Sequence, residues 1–184
     1  MIEVEVKART LPETLDKIIS LGATFSGTES HEDLYFNHPH RDFRRSDEAL
    51  RIRIKEEGAR LTYKGPKLDG LTKSRKELTV KIDSPQEMAE ILAALGFVLS
   101  AVVRKRRTKY VLGDITFALD DVEGLGSFLE MEIRGEADFF EEQRRRVLSL
   151  LEELGLGESI RSSYLELLDE KARKESAAWK DRPP

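Results

Sequence analysis

The sequence contains no cysteine, so disulfides, thiolate zinc sites and cysteine nucleophiles are excluded. No apolar run approaches the roughly 20 residues that a membrane-spanning helix requires. The N-terminus alternates apolar and charged residues instead of placing an apolar stretch behind a basic one. No secretory signal is therefore read, and a cytoplasmic location is expected. Basic excess is also missing: 31 Lys and Arg stand against 35 Asp and Glu, a net charge of −4. That balance argues against a general nucleic-acid binder, although it leaves room for a local basic site. The lone tryptophan, Trp179, sits in a polar terminal stretch and reads as a stray or interface contact.

What is abundant is charge. Charged residues make up 36% of the chain, against about 25% in an average soluble domain. The 184 residues suit one domain, expected over residues 1–170, with 171–184 as a polar tail ending in Pro-Pro. No repeat is present.

Residues 1–9 read as a strand and Leu11–Leu21 as a helix stopped by Gly22. Ala23–Asn37 reads as extended and Asn37–Asp47 as a loop. Ala49–Lys55 and Arg60–Lys64 form an expected hairpin around Glu57-Gly58. Gly65–Thr72 reads as a mobile connection before a strand at Ser74–Asp83. Ser84-Pro85 opens a helix over Gln86–Leu95. Extended segments follow at Phe97–Leu112, Ile115–Asp120 and Phe128–Arg134, then a helix over Phe139–Leu154 and a short final helix from Ser162 or Ser163. The order describes an α+β domain rich in antiparallel strands.

The strand faces carry the functional signal. With a period of two, Glu3, Glu5 and Lys7 share one face and Ile2, Val4 and Val6 the other. The same division recurs for Arg51, Arg53 and Lys55, for Thr62 and Lys64, for Arg75, Glu77, Thr79 and Lys81, for Asp114, Thr116 and Asp120, and for Glu130, Glu132 and Arg134. One reading is an open sheet with a solvated charged face. The other is a sheet curled so that its charged faces converge around a polar channel. Burying so many ions is costly unless they pair with each other or with a ligand. The pattern alone leaves both readings open.

The charges sort by chemistry. Glu3, Glu5, Asp120, Glu130 and Glu132 are hard oxygen donors suited to Mg²⁺ or Mn²⁺. Each E-x-E pair aims two carboxylates at one space, where a cation relieves their repulsion. Lys7, Arg51, Arg53, Lys64, Arg75 and part of the Arg104–Lys109 run would meet phosphate oxygens, Arg as a planar fork and Lys as a point charge. Acids for a metal beside bases for phosphate are the equipment of phosphoryl transfer.

These segments resemble the CYTH superfamily, the triphosphate tunnel metalloenzymes that include class IV adenylyl cyclase and thiamine triphosphatase. The E-x-E-x-K of Glu3, Glu5 and Lys7 is followed in order by His31-Glu32-Asp33-Leu34-Tyr35-Phe36, Ala49-Leu50-Arg51-Ile52-Arg53 and Leu61-Thr62-Tyr63-Lys64-Gly65-Pro66. Arg75 with Glu77 fits R-x-E, and Arg107 with Tyr110 fits R-x-x-Y. Leu119–Gly126 with Phe128–Glu132 is similar to L-D-x-V-x-G-L-G-x-F-x-E-x-E, and Ser163–Leu168 to S-Y-x-x-L-L. The similarity runs from Met1 to Leu168.

The resemblance implies an eight-stranded antiparallel β-barrel tunnel with flanking helices. It implies Glu3, Glu5, Glu130 and Glu132 as ligands of Mg²⁺ or Mn²⁺, with Asp120 assisting a second ion. Lys7, Arg51, Arg53, Lys64, Arg75, Lys105, Arg107 and, on its spacing to Tyr164 alone, Arg161 would bind the triphosphate. Lys7, Arg53 and Glu77 are the catalytic candidates, Glu77 by orienting bases or approaching a metal. ATP, thiamine triphosphate and inorganic triphosphate are the candidate substrates. A cyclase would join the 3′-hydroxyl of ATP to the α-phosphorus and release pyrophosphate; a triphosphatase would direct water at the terminal phosphorus. A homodimer is left open; a membrane or nucleic-acid partner is not expected.

Several residues have competing readings. On a strand only half of Arg104–Lys109 can face inward, and Lys105 and Arg107 are preferred over Arg104 and Arg106. His31, His38 and His40 are expected to be solvated in or near a loop. Tyr35 and Tyr110 read as packing residues. Gly65–Gly70 lacks the G-x-x-x-x-G-K-[ST] pattern of a phosphate loop; it reads as a flap or an ordinary connection. Two other functions stand beside an enzyme: a non-catalytic triphosphate-binding module, which would not need the acidic set, and an interaction protein with a solvated charged sheet.

Overall fold

A computed structural model describes residues 2–67, 75–135 and 139–180; within these, side chains are described over residues 4–66, 76–133 and 139–176. The strands are β1 (Ile2–Arg9), β2 (Thr24–Asn37), β3 (Ala49–Lys55), β4 (Gly58–Lys67), β5 (Arg75–Ile82), β6 (Val98–Leu112), β7 (Ile115–Val122) and β8 (Gly126–Gly135). The helices are α1 (Thr14–Ser20), α2 (Pro85–Ala94), α3 (Phe140–Glu153) and α4 (Tyr164–Lys180). All eight strands join one sheet in the order β1-β8-β7-β6-β2-β3-β4-β5, and each adjacent pair is antiparallel. Most of the connection expected at Gly65–Thr72, from residue 68 onward, lies outside the described residues.

The sheet is coiled, with the helices outside. Val4, Val6 and Ala8 of β1 pack with Ile115 and Phe117 of β7 and with Leu129, Met131 and Ile133 of β8 under Ile18 of α1 and Val147 and Leu151 of α3. A second cluster places Phe36, Leu50 and Ile52 under Leu92 of α2. A third joins Val103, Val122 and Phe128 to Tyr164 at the start of α4. Because a slip of one residue would send each apolar row inward, this alternation fixes the register. The barrel is not closed by hydrogen bonds: β1 and β5 end the sheet without pairing to each other. The sheet still curls enough to bring β1 toward β4, since the charge of Glu5 on β1 acts on Lys64 of β4.

Local chemistry explains the helix ends. Ser84 accepts a hydrogen bond from Glu87 N at 3.2 Å, with Pro85 at the first helical position. At the other end Gly96, at φ +88°, lets Phe97 N reach Leu92 O and Gly96 N reach Ala93 O, a left-handed stop that a β-carbon would strain. The final helix is longer than expected, 17 residues reaching Lys180 and crossing the boundary expected at residue 170. Its start is a capping box: Ser163 Oγ receives Glu166 N at 3.2 Å and Glu166 Oε2 receives Ser163 N at 2.6 Å. Among the described residues no helix is long and apolar enough to cross a membrane.

Candidate functional site

The charged strand faces meet inside the coiled sheet. Lys7 is 2% exposed, Asp33 2%, Lys105 7% and Asp120 1%. Isolated ions at such depth would be prohibitively costly, and each is held in a paired network.

The first network centres on Asp120 of β7. Its carboxylate accepts Lys105 Nζ at 2.8 Å, Arg107 Nε at 2.7 Å, Arg107 Nη2 at 2.6 Å and the Tyr164 hydroxyl at 2.8 Å. Arg107 also pairs with Glu130 of β8, and Glu130 lies 3.5 Å from Lys7 Nζ. Burial alone would raise the pKa of Asp120, but the Arg107 hydrogen bond and the Lys105 and Arg107 charges hold it below the ordinary range. Lys105 is pushed down to about 8, by burial first and then by Arg107, against the attraction of Glu130 and Asp120.

A second network is built on Asp33 of β2, which faces Arg53 of β3 in register. Arg53 Nε and Nη2 each reach one Asp33 oxygen at 2.6 Å, a fork-to-carboxylate pair. Arg51 joins at 3.5 Å, and its buried Nε meets no hydrogen-bond partner. A third network surrounds Glu29, which accepts Lys55 Nζ at 2.6 Å and His31 Nε2 at 2.8 Å and pairs with Lys109. Toward the sheet edge Lys64 donates to Glu77 at 2.6 Å. Burial and then Arg51 lower the Lys64 pKa, while Glu77 and Glu5 oppose them.

The segment before α4 seals part of this interior. Ile160 N bonds Lys7 O at 2.6 Å, and Lys7 Nζ donates to Ser162 O at 2.8 Å. The Lys7 and Lys105 ammonium groups lie 4.2 and 4.9 Å from the Tyr164 ring centroid, within cation–π range.

The acidic residues lie along β1 and β8. Glu5 is directly opposite Glu132 and Lys7 opposite Glu130. Facing carboxylates on one side of an antiparallel pair repel, and hard oxygen donors so placed suit a divalent cation in type. Among the described residues no three metal-ligating side chains already form a cluster; the side chain of Glu3, the remaining acid of the motif, lies outside them, as does that of Arg75.

The inner assembly thus brings together Glu5, Lys7, Arg51, Arg53, Lys64, Glu77, Lys105, Arg107, Asp120, Glu130 and Glu132. Arg161 is exposed and joins none of these networks. Arg104 turns outward to Glu32 at 3.2 Å, as alternation requires. The histidine reading needs correction at one position: His31, expected to be solvated in or near a loop, lies within β2 and is 3% exposed. Its neighbours Glu29 and Asp33 also line the interior, a face legible as every second residue of β2 but not singled out from sequence. Tyr164 was missed as a site residue, because nothing in S-Y-x-x-L-L announces a hydroxyl aimed at Asp120.

A family model for the CYTH domain matches residues 1–164. The chain belongs to the CYTH domain family. This CYTH domain is 41% identical to a Methanocaldococcus jannaschii protein provisionally named an adenylate cyclase, over 91% of this chain and 98% of that one. The solved structure of the PH1819 protein from Pyrococcus horikoshii superposes with a TM-score of 0.83 at 44% identity, covering 92% of this chain and 99% of that one. A Hippeastrum adenylyl cyclase candidate, described as having a dominant triphosphatase activity, shares the fold at 20% identity with a TM-score of 0.67, over 92% of this chain and 96% of that one.

Proposed function

We propose that this CYTH domain is a Mg²⁺- or Mn²⁺-dependent enzyme acting on a triphosphate, and that it converts ATP to a cyclic nucleotide and pyrophosphate. The observation that carries the reading is the convergence of Lys7, Arg51, Arg53, Lys105 and Arg107 on one interior beside the facing Glu5 and Glu132. The M. jannaschii relative's name supports the cyclase form.

Glu5 and Glu132, with Glu130 on β8 and Glu3 two positions before Glu5 in the sequence, are the residues we assign to the metal. When bound, a divalent ion would neutralise phosphate oxygens and steady the charge that builds on the leaving group. Arg53 and Arg107 offer planar forks that can exchange their carboxylate partners for phosphate oxygens. Lys7, Lys64 and Lys105 supply point charges. Most catalysis in such a site comes from positioning and charge neutralisation, so the orientation of the chain of phosphates decides which phosphorus meets the nucleophile. Hydrolysis is the second reading. The same groups serve it, and the Hippeastrum protein, alike in fold alone, is described with that activity.

A product assay tests the proposal with ATP, thiamine triphosphate and inorganic triphosphate, each with Mg²⁺ and Mn²⁺. Cyclic AMP with pyrophosphate is expected from ATP; orthophosphate would select the hydrolase reading. Glu5→Gln and Glu132→Gln should cripple turnover by weakening metal binding. No metal-stimulated release of phosphate or pyrophosphate from any of the three substrates would overturn the assignment.

A further inference from the structure

His31 is the one imidazole among the buried charges. Its Nε2 lies 2.8 Å from Glu29 Oε2. Glu29 is kept ionised by Lys109 and Lys55 despite the burial that would raise its pKa, so it can only accept, and Nε2 must carry the hydrogen. The lone pair of a neutral ring then lies on Nδ1. That atom is buried and meets no hydrogen-bond partner among the described residues. A buried, unpartnered acceptor on a ring held by a carboxylate is a poor structural element, because nothing offsets its lost hydration.

The surroundings say what it can meet. Glu29 and Asp33 flank it on its own strand, Arg53 and Lys55 act on it from β3, and Lys105 from β6, where Lys109 shares its Glu29 partner. Arg53 and Lys105 are two of the groups assigned above to phosphate. Every one of these cations is a donor, yet none of them makes a hydrogen bond to the Nδ1 lone pair. A ligand group that reaches Nδ1 must bring a hydrogen.

We propose that His31, oriented by Glu29, is the proton acceptor for the attacking hydroxyl or water in this tunnel. This rests on the triphosphate reading above and holds for either reaction, since a ribose hydroxyl and a water both present an O–H. As the new oxygen–phosphorus bond forms, the O–H proton passes to Nδ1. The bridging P–O bond breaks, and its electron pair leaves on the phosphate oxygen of the departing group. The imidazolium keeps its Nε2 hydrogen on Glu29 and returns the Nδ1 proton to solvent or to the leaving phosphate. Burial first, and then Arg53, Lys105 and Lys55, hold the ring's pKa down to about 4 in the free protein. A bound polyanion cancels that cationic field and raises the basicity of Nδ1 when it is needed.

Two measurements test this. In the wild-type protein with ¹⁵N-labelled histidine, the His31 Nδ1 resonance is expected at the unprotonated position. It should move toward the protonated one when inorganic triphosphate and Mg²⁺ are added. A protonated Nδ1 in the free protein, or no movement at saturating triphosphate, overturns the proposal without relying on a variant that folds. In turnover, His31→Gln keeps an amide donor for Glu29 but has no basicity. Its kcat should fall about 100-fold or more, the lower end of what a positioned base contributes, with inorganic triphosphate affinity retained. Equal kcat in variant and wild type overturns the inference and leaves the functional reading standing. Absence of metal-stimulated turnover in the wild type overturns both.

Discussion

Asp120 offers the sharpest test of how the interior is held together. It is 1% exposed and accepts four hydrogen bonds, three of them from the cations Lys105 and Arg107. Asp120→Asn keeps the shape and one acceptor oxygen but removes the charge, leaving Glu130 as the remaining acid beside Arg107. Breaking a buried ion pair by removing one partner costs about 3–5 kcal/mol, because the other charge stays buried without compensation. The retained acceptor places this variant near the lower end, about 3 kcal/mol. For a chain of this size that corresponds to a fall in Tm of roughly 6–12 °C. The released cations also predict a second effect of opposite sign. Inorganic triphosphate should raise the Tm of Asp120→Asn more than that of the wild type, since phosphate oxygens replace the missing carboxylate charge. Thermal unfolding followed by circular dichroism, with and without inorganic triphosphate, measures both. An unchanged Tm in the free variant, or a smaller ligand-induced rise than in the wild type, would refute the view of Asp120 as the anchor of these cations.

Other predictions follow from the same geometry. Tyr164→Phe retains the ring beneath Lys7 and Lys105 but removes the hydroxyl that donates to Asp120; a loss of about 1–3 kcal/mol is expected in denaturant unfolding, and full retention of stability would contradict it. Lys105 titrates near pH 8 when folded, below its unfolded value of about 10.4. Between those values the unfolded chain holds the proton that the folded one has released, so this group adds stability as pH rises. The stability of the wild type relative to Lys105→Met should therefore grow across that window, and parallel curves would exclude the shift. Ser84→Ala should cost about 1 kcal/mol through loss of the α2 cap while leaving turnover unchanged, which denaturant melts and the product assay can check together.

Much of this architecture was legible along the chain. Period-two rows such as Val4 and Val6 against Glu5 and Lys7, or Ile52 against Arg51 and Arg53, identify strands and divide their faces, because a pleated backbone leaves no other direction for alternate side chains. Gly96 and Ser84 mark helix ends for equally local reasons. The same alternation divides Arg104–Lys109 into two rows, with Lys105 and Arg107 the preferred inward pair, but only the structure shows Lys105 buried and Arg104 turned outward. Local pattern could not say whether the charged rows face water or one another, since that depends on how far the sheet coils. His31 falls in the extended segment Ala23–Asn37, but its burial depends on the coil of the sheet and not on local pattern; the Ser163–Glu166 capping box was present in the sequence but its helix length was underestimated.

Sequence by itself determined the strands, their two faces and the kinds of charge each face carries, because these depend on neighbours a few residues away. Tertiary structure decided which charges meet: Asp33 with Arg53 across two strands, Glu5 within the field of Lys64, Tyr164 on Asp120 from 44 residues downstream. Such pairings depend on the coil of the whole sheet and on the return of the C-terminal segment to β1. Electrostatic energies fall with distance in space and not with separation along the chain.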